Sequence, residues 1–120
     1  MCSEHAEKLS WVRYHFNHLR RWREYAEKVA RAVGDLAPGA KVFVIGSVAR
    51  GTPTIYSDID ILVVLERVDT ETKKRLLVDI LERAIDLYQL PWDAPVELHI
   101  VSREEAERYF RDARRVIEIT

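Results

Sequence analysis

The sequence predicts an α+β domain, with a small mixed β-sheet flanked by helices and preceded by a long N-terminal helix. Three observations predict it. A stretch free of Pro and Gly (3–33) carries apolar residues at three- and four-residue steps. Two β-rich runs (41–45 and 58–65) follow it within a short span. A second helical repeat then separates those runs from an alternating segment (95–101), the order expected of one sheet covered by helices. With 120 residues and 48% apolar side chains, the chain makes one domain with a real core. It divides into an N-terminal helix (1–34), a central core (41–101) and a C-terminal helix with a tail (102–120).

Each element has its own signal. Leu9, Val12, Phe16, Leu19, Ala26, Ala30 and Val33 form one helical stripe, and Gly34 is placed to cap it. Trp11, Tyr14, His18, Trp22 and Tyr25 form a second stripe beside the first. Two apolar faces on one helix fit either a wide core face or a face that meets another chain, where Trp and Tyr are favoured. After Pro38-Gly39, residues 41–45 read as a strand that ends at Gly46-Ser47, and 58–65 as a second, buried strand. Asp69 or Thr70 can cap a helix over 71–89 that Pro91 stops. Residues 95–101 alternate as a third strand. Ser102 and Glu105 have capping-box spacing for a short helix to 111, and 116–119 is placed as a fourth strand.

Composition excludes several classes. Nineteen basic and 20 acidic residues give a net charge of -1, so there is no general basic footprint for nucleic acid. No apolar run approaches the roughly 18 residues of a membrane span. The N-terminus lacks the charged and apolar regions of a signal peptide, and Cys2 is the only cysteine. The expectation is a soluble cytoplasmic protein without disulfides, with neither membrane nor nucleic acid as partner. Asn17 and Gln89 are the only side-chain amides in a chain that is 32% charged, a balance that fits a thermophilic source.

The chemistry concentrates in Gly46-Ser47-Val48-Ala49-Arg50-Gly51 and Ser57-Asp58-Ile59-Asp60. Strand residues two apart share a face, so Asp58 and Asp60 fall side by side. Two such charges among Ile59, Ile61, Leu62 and Val63 repel unless a cation lies between them. Magnesium is the natural choice, being held by one or two carboxylates plus phosphate oxygens. An exposed edge strand with two solvated Asp residues is the alternative. The preceding loop favours the cation. Gly46 and Gly51 permit close backbone approach, Ser47 offers a hydroxyl, Arg50 a positive charge, and a helix start offers free N–H groups to a phosphate. No Lys follows Gly51, so this is not a P-loop.

These residues, with Ile61-Leu62-Val63 behind them, resemble the signature of the minimal nucleotidyltransferases of the DNA polymerase beta-like superfamily, of the HEPN/MNT antitoxin type. The resemblance spans about 42–101 and implies a polymerase beta-like nucleotidyltransferase core. It also implies a third carboxylate on a later strand, where Glu97 stands. On that basis Asp58, Asp60 and Glu97 are the catalytic residues and the ligands of two Mg²⁺ ions, and Gly46, Ser47, Arg50 and Ser57 bind the nucleotide. ATP is the implied donor, a hydroxyl the acceptor and pyrophosphate the product. The implied partner is a HEPN-type toxin protein that the chain adenylylates as its antitoxin. Homo-oligomerisation through the N-terminal helix is a second use for the doubled stripe. Two rivals remain: a non-catalytic antitoxin acting by contact, and transfer to a small molecule of the aminoglycoside kind.

Other features count for less. His99 shares the face of Glu97, but strand histidines are more often packed or solvated. Arg13 and His18 have the Arg-x-x-x-x-His spacing of HEPN ribonucleases, which is best read as chance in a chain too short to hold that bundle as well. Arg20, Arg21, Arg23 and Arg31 form a basic flank of the kind that is usually solvated.

Overall fold

The computed structural model describes residues 2–119, with side chains from Ser10 onward. In chain order the elements are α1 (Cys2–Arg20), α2 (Trp22–Leu36), β1 (Lys41–Ile45), α3 (Gly46–Arg50), β2 (Ile59–Leu65), α4 (Thr70–Tyr88), β3 (Val96–Ser102), α5 (Arg103–Asp112) and β4 (Ile117–Glu118). The four strands form one mixed sheet in the order β3-β2-β1-β4, so the expected α+β class holds and the tail does add a strand. β1 runs antiparallel to β2 and to β4, while β2 and β3 are parallel and joined through α4.

Strand parity sorts the side chains onto two faces. Val42 and Val44 of β1, Ile59, Ile61 and Val63 of β2, and Leu98 and Ile100 of β3 enter the main core. There they meet Tyr25, Val29 and Val33 of α2 and Ile80 and Ala84 of α4. The alternate residues Ile45, Leu62 and Val101 face Ala106 of α5, with Phe43, Val64 and Tyr109 around them. Asp60 and Glu97 have the parity of this second face, which α5 and the segment after it cover.

The long N-terminal helix is broken in two. At Arg21 (φ -91°, ψ 18°) the backbone N–H reaches back to His18, three residues away, rather than four. No Pro or Gly marks the site. Tertiary contacts hold it instead: the Arg21 guanidinium bonds Glu24 in the next turn, and His18 bonds the Tyr25 hydroxyl across the break. The second stripe is buried on both sides of the break, at His18 and Tyr25, and exposed farther back along α1, at Trp11 and Tyr14.

Gly34 is not a cap either. α2 runs through it to Leu36 and is capped at Ala37. A helical Gly costs about 1 kcal/mol, whereas each large apolar side chain fully buried contributes about 1.5–3 kcal/mol. Val29 and Val33 are buried on this helix, and Asp35, one residue past Gly34, is gripped by Arg83 at 2.7 Å and by the Tyr88 hydroxyl of α4.

At the other helix ends the expected chemistry is present. The Asp69 carboxylate accepts from the Thr72 N–H at the start of α4. Ser102 and Glu105 form a full capping box at the start of α5. α4 ends at Tyr88, two residues before Leu90, with Gln89 in the left-handed region (φ 61°). Among the described residues no helix is long and apolar enough to cross a membrane.

Three of these carboxyls have pKa values held below the ordinary range: Asp35 by the Tyr88 hydroxyl and Arg83, Asp69 by the Thr72 N–H, and Glu105 by Lys73. Each therefore contributes stability that is complete above its unfolded-state pKa and is lost as pH falls through the lower folded value. As pH falls from about 5 to below about 4, the urea midpoint is expected to fall. A midpoint that instead rose on acidification would contradict these ion pairs and caps.

Candidate active site

The site forms where β1 ends and β2 and β3 begin. In the antiparallel β1–β2 register Ile45 lies opposite Asp60, so the chain leaving β1 must pass that carboxylate. Gly46 makes the passage possible. Its φ of +78° is strained for other residues, and a Cβ placed on it would run into Oδ2 of Asp60. The chain then winds into α3, which Gly51 closes in the left-handed region (φ +75°).

The parallel β2–β3 register sets Asp60 beside Glu97, and parity brings His99 onto the same face. His99 Nε2 lies 3.3 Å from Asp60 Oδ1 and 3.9 Å from Glu97 Oε1. One donor atom from each of Asp60, Glu97 and His99 lies within 4.8 Å of the others. The hydrogen bond to Asp60 pushes the His99 imidazole above its ordinary pKa, with desolvation opposing and the charges of Asp60 and Glu97 adding to the rise. The Tyr109 ring of α5 packs against His99 with centroids 5.8 Å apart.

Asp58 differs from the sequence expectation. β2 begins at Ile59, so Asp58 lies just outside the ladder, exposed, and is not a member of the three-residue group. Ser57 is a hub. Its hydroxyl accepts from Ser47 Oγ and from the Thr54 N–H, each at 2.8 Å, tying the loop before β2 to the start of α3. Arg50 is exposed and joins Ile45, Gly46, Arg108 and Tyr109 around a cavity of about 470 Å³ next to the acidic group.

His99 is the site residue that the sequence reading discounted. The signal was available, because His99 stands two residues from Glu97, as Asp60 stands two from Asp58. Among the described residues neither Asp60 nor Glu97 has a Lys or Arg partner; His99 alone faces them. Two carboxylates that close, with half of one exposed to solvent, favour a positive guest.

Residues 26–118 match the family described as nucleotidyltransferase domain. The chain belongs to this family. Solved structures agree on the fold of this nucleotidyltransferase. A candidate nucleotidyltransferase from Sulfolobus solfataricus superposes with a TM-score of 0.60 at 20% identity, covering 87% of this chain and 84% of the other. A second candidate nucleotidyltransferase gives a TM-score of 0.53 at 22% identity, covering 75% and 91%. No curated protein matches the chain.

Gly46→Ala is expected to cost more stability than Gly51→Ala. Both carry the strain of a left-handed residue, roughly 1–3 kcal/mol, but a Cβ at Gly51 meets nothing while one at Gly46 must displace Asp60. Urea unfolding measures the two costs, and the His99 ring signals in the NMR spectrum should shift only in Gly46→Ala. Equal costs with unshifted His99 signals would contradict the close packing of Gly46 on Asp60.

Proposed function

We propose that the chain is a Mg²⁺-dependent nucleotidyltransferase that moves AMP from ATP to a hydroxyl on a protein partner and releases pyrophosphate. The observation that carries this reading is the parallel register of Asp60 and Glu97, which pairs two carboxylates beside the Gly46-Ser47 turn with, among the described residues, no Lys or Arg to neutralise them.

The residues present fit a hard divalent cation. Asp60 and Glu97 offer oxygen ligands, and the exposed Asp58 offers a third from the end of the loop before β2. His99 suits softer metals better than magnesium, and its hydrogen bond to Asp60 makes it an orienting partner for a ligand carboxylate. Bound there, two such ions supply charge neutralisation for the triphosphate and a lowered pKa for the acceptor hydroxyl.

The protein's own groups do the rest. Ser47 and the backbone N–H groups at the start of α3 would bind the distal phosphates, and the Ser57 hydroxyl, which accepts from Ser47, ties that turn to the loop before β2. Arg50, at the rim of the adjoining cavity, offsets the charge of the leaving pyrophosphate. The acceptor oxygen attacks the α-phosphorus in line with the bond to pyrophosphate; that bond breaks as the new P–O bond forms. Glu97, the more exposed of the two strand acids, takes the acceptor's proton.

A protein acceptor of the HEPN toxin type is supported by the resemblance of the motif and by exposed aromatics around the site: Trp11 and Tyr14 on α1, Tyr56 and Trp92 in the neighbouring loops. Labelled ATP and intact mass measurement with the co-expressed partner test the reading. Wild type should add one or more AMP units to the partner. Asp58→Ala and Asp60→Ala should abolish the addition with the circular dichroism unchanged. Transfer retained in either variant would overturn the assignment.

A further inference from the structure

Helix α1 lies outside the family match, which begins at residue 26, yet its last turns hold both loops that lead into the acids. His15 Nε2 donates to the backbone carbonyl of Ser57, the residue before Asp58, at 2.9 Å. A carbonyl only accepts, so this bond fixes the proton on Nε2. The Trp11 ring lies nearly parallel to the imidazole (7°), with centroids 5.8 Å apart.

The same helix reaches the other loop. The Tyr14 hydroxyl donates to the carboxylate of Asp93, four residues before Glu97. His18 Nε2 approaches that carboxylate at 3.7 Å and, although buried, has no hydrogen-bond partner of its own among the described residues. Its other ring nitrogen is bonded at 2.6 Å to the hydroxyl of Tyr25, a fully buried core residue. The two loops are also joined to each other, through the Ile59 N–H and the Pro95 carbonyl at 2.7 Å. Tyr25 thus anchors His18, and α1 in turn anchors the approach to both β2 and β3.

From this juxtaposition we infer that His15 and the His18–Asp93 pair are positioning residues for the acidic site, an inference that rests on the nucleotidyl-transfer reading for what the site does. The β2–β3 register sets Asp60 beside Glu97, but Asp58 lies one residue outside the ladder and Glu97 is only the second residue of β3, so the loops that lead into both strands share in placing these acids. Groups that orient the ligands of a metal typically matter about 10–100-fold in its affinity. A loop shift of about 1 Å can cost roughly 100-fold in rate.

The test uses the full chain with Mn²⁺ as probe, read by electron paramagnetic resonance, and amide hydrogen exchange read separately. His15→Ala is expected to speed exchange at residues 54–58 and to weaken Mn²⁺ binding about 10-fold, with the circular dichroism unchanged. His15→Gln, whose side-chain N–H can reach the same carbonyl, should restore both. Asp93→Ala should act likewise on residues 94–97, and it decides the question if His15→Ala does not fold.

Wild-type exchange and affinity in the alanine variants would overturn the inference. So would faster exchange with undiminished Mn²⁺ binding, which would make α1 a strut and nothing more. A wild-type chain that binds no Mn²⁺, or binds it equally well after Asp60→Ala, would instead overturn the cation reading. Exchange would then still decide whether α1 holds the loops.

Discussion

The carboxylate of Asp60 is wedged between the backbone of Gly46 and the imidazole of His99, and the architecture around the site follows from that wedge. Because Ile45 pairs with Asp60, the chain must leave β1 directly over the carboxylate, and only a residue without a Cβ fits there. The turn that results starts α3 and brings Ser47 to Ser57. On the other side the parallel register adds Glu97, and strand parity adds His99. α5 then covers this face, its Tyr109 resting on His99. One buried-edge acid therefore fixes a glycine, a helix start, a second acid and a histidine.

Local chemistry was legible in the sequence wherever it was written within a few residues. Apolar, β-rich runs marked β1 and β2, alternation marked β3, and Ser102 with Glu105 marked the start of α5, because these signals are short-range. The Gly-Ser turn and the Asp-x-Asp pair lie at one end of the sheet, where β1 ends and β2 begins. What was not legible depends on distant partners. The break at Arg21 has no Pro or Gly and is held by His18, Glu24 and Tyr25 acting together. Asp58 reads as a strand residue until the ladder is seen to begin at Ile59. His99 looked like an ordinary strand histidine because its partner, Asp60, is 39 residues away. The contacts of α1 are more remote still, joining residues separated by 42 and 79 positions.

The likeness to solved structures at 20–22% identity shows the fold, and the fold explains why the acids meet. The chemistry rests on this chain's own residues. Among the described residues no Lys or Arg pairs with the carboxylates of Asp60 and Glu97, and like charges that close repel unless a cation lies between them. Such an arrangement is reasonable where a cation and a triphosphate are to be bound. α1 fits the same logic, since a site whose acids lie at strand ends and in loops gains from a helix that restrains those loops.

The most direct measurement is the NMR spectrum of the nitrogen-labelled full chain as Mn²⁺ is added well below stoichiometry. If Asp60 and Glu97 form the cation site, the amide signals of Gly46, Asp60, Glu97 and His99 broaden first, and Asp60→Ala removes that selectivity. Broadening spread evenly over exposed acids elsewhere, such as Glu71 and Glu104, would contradict it.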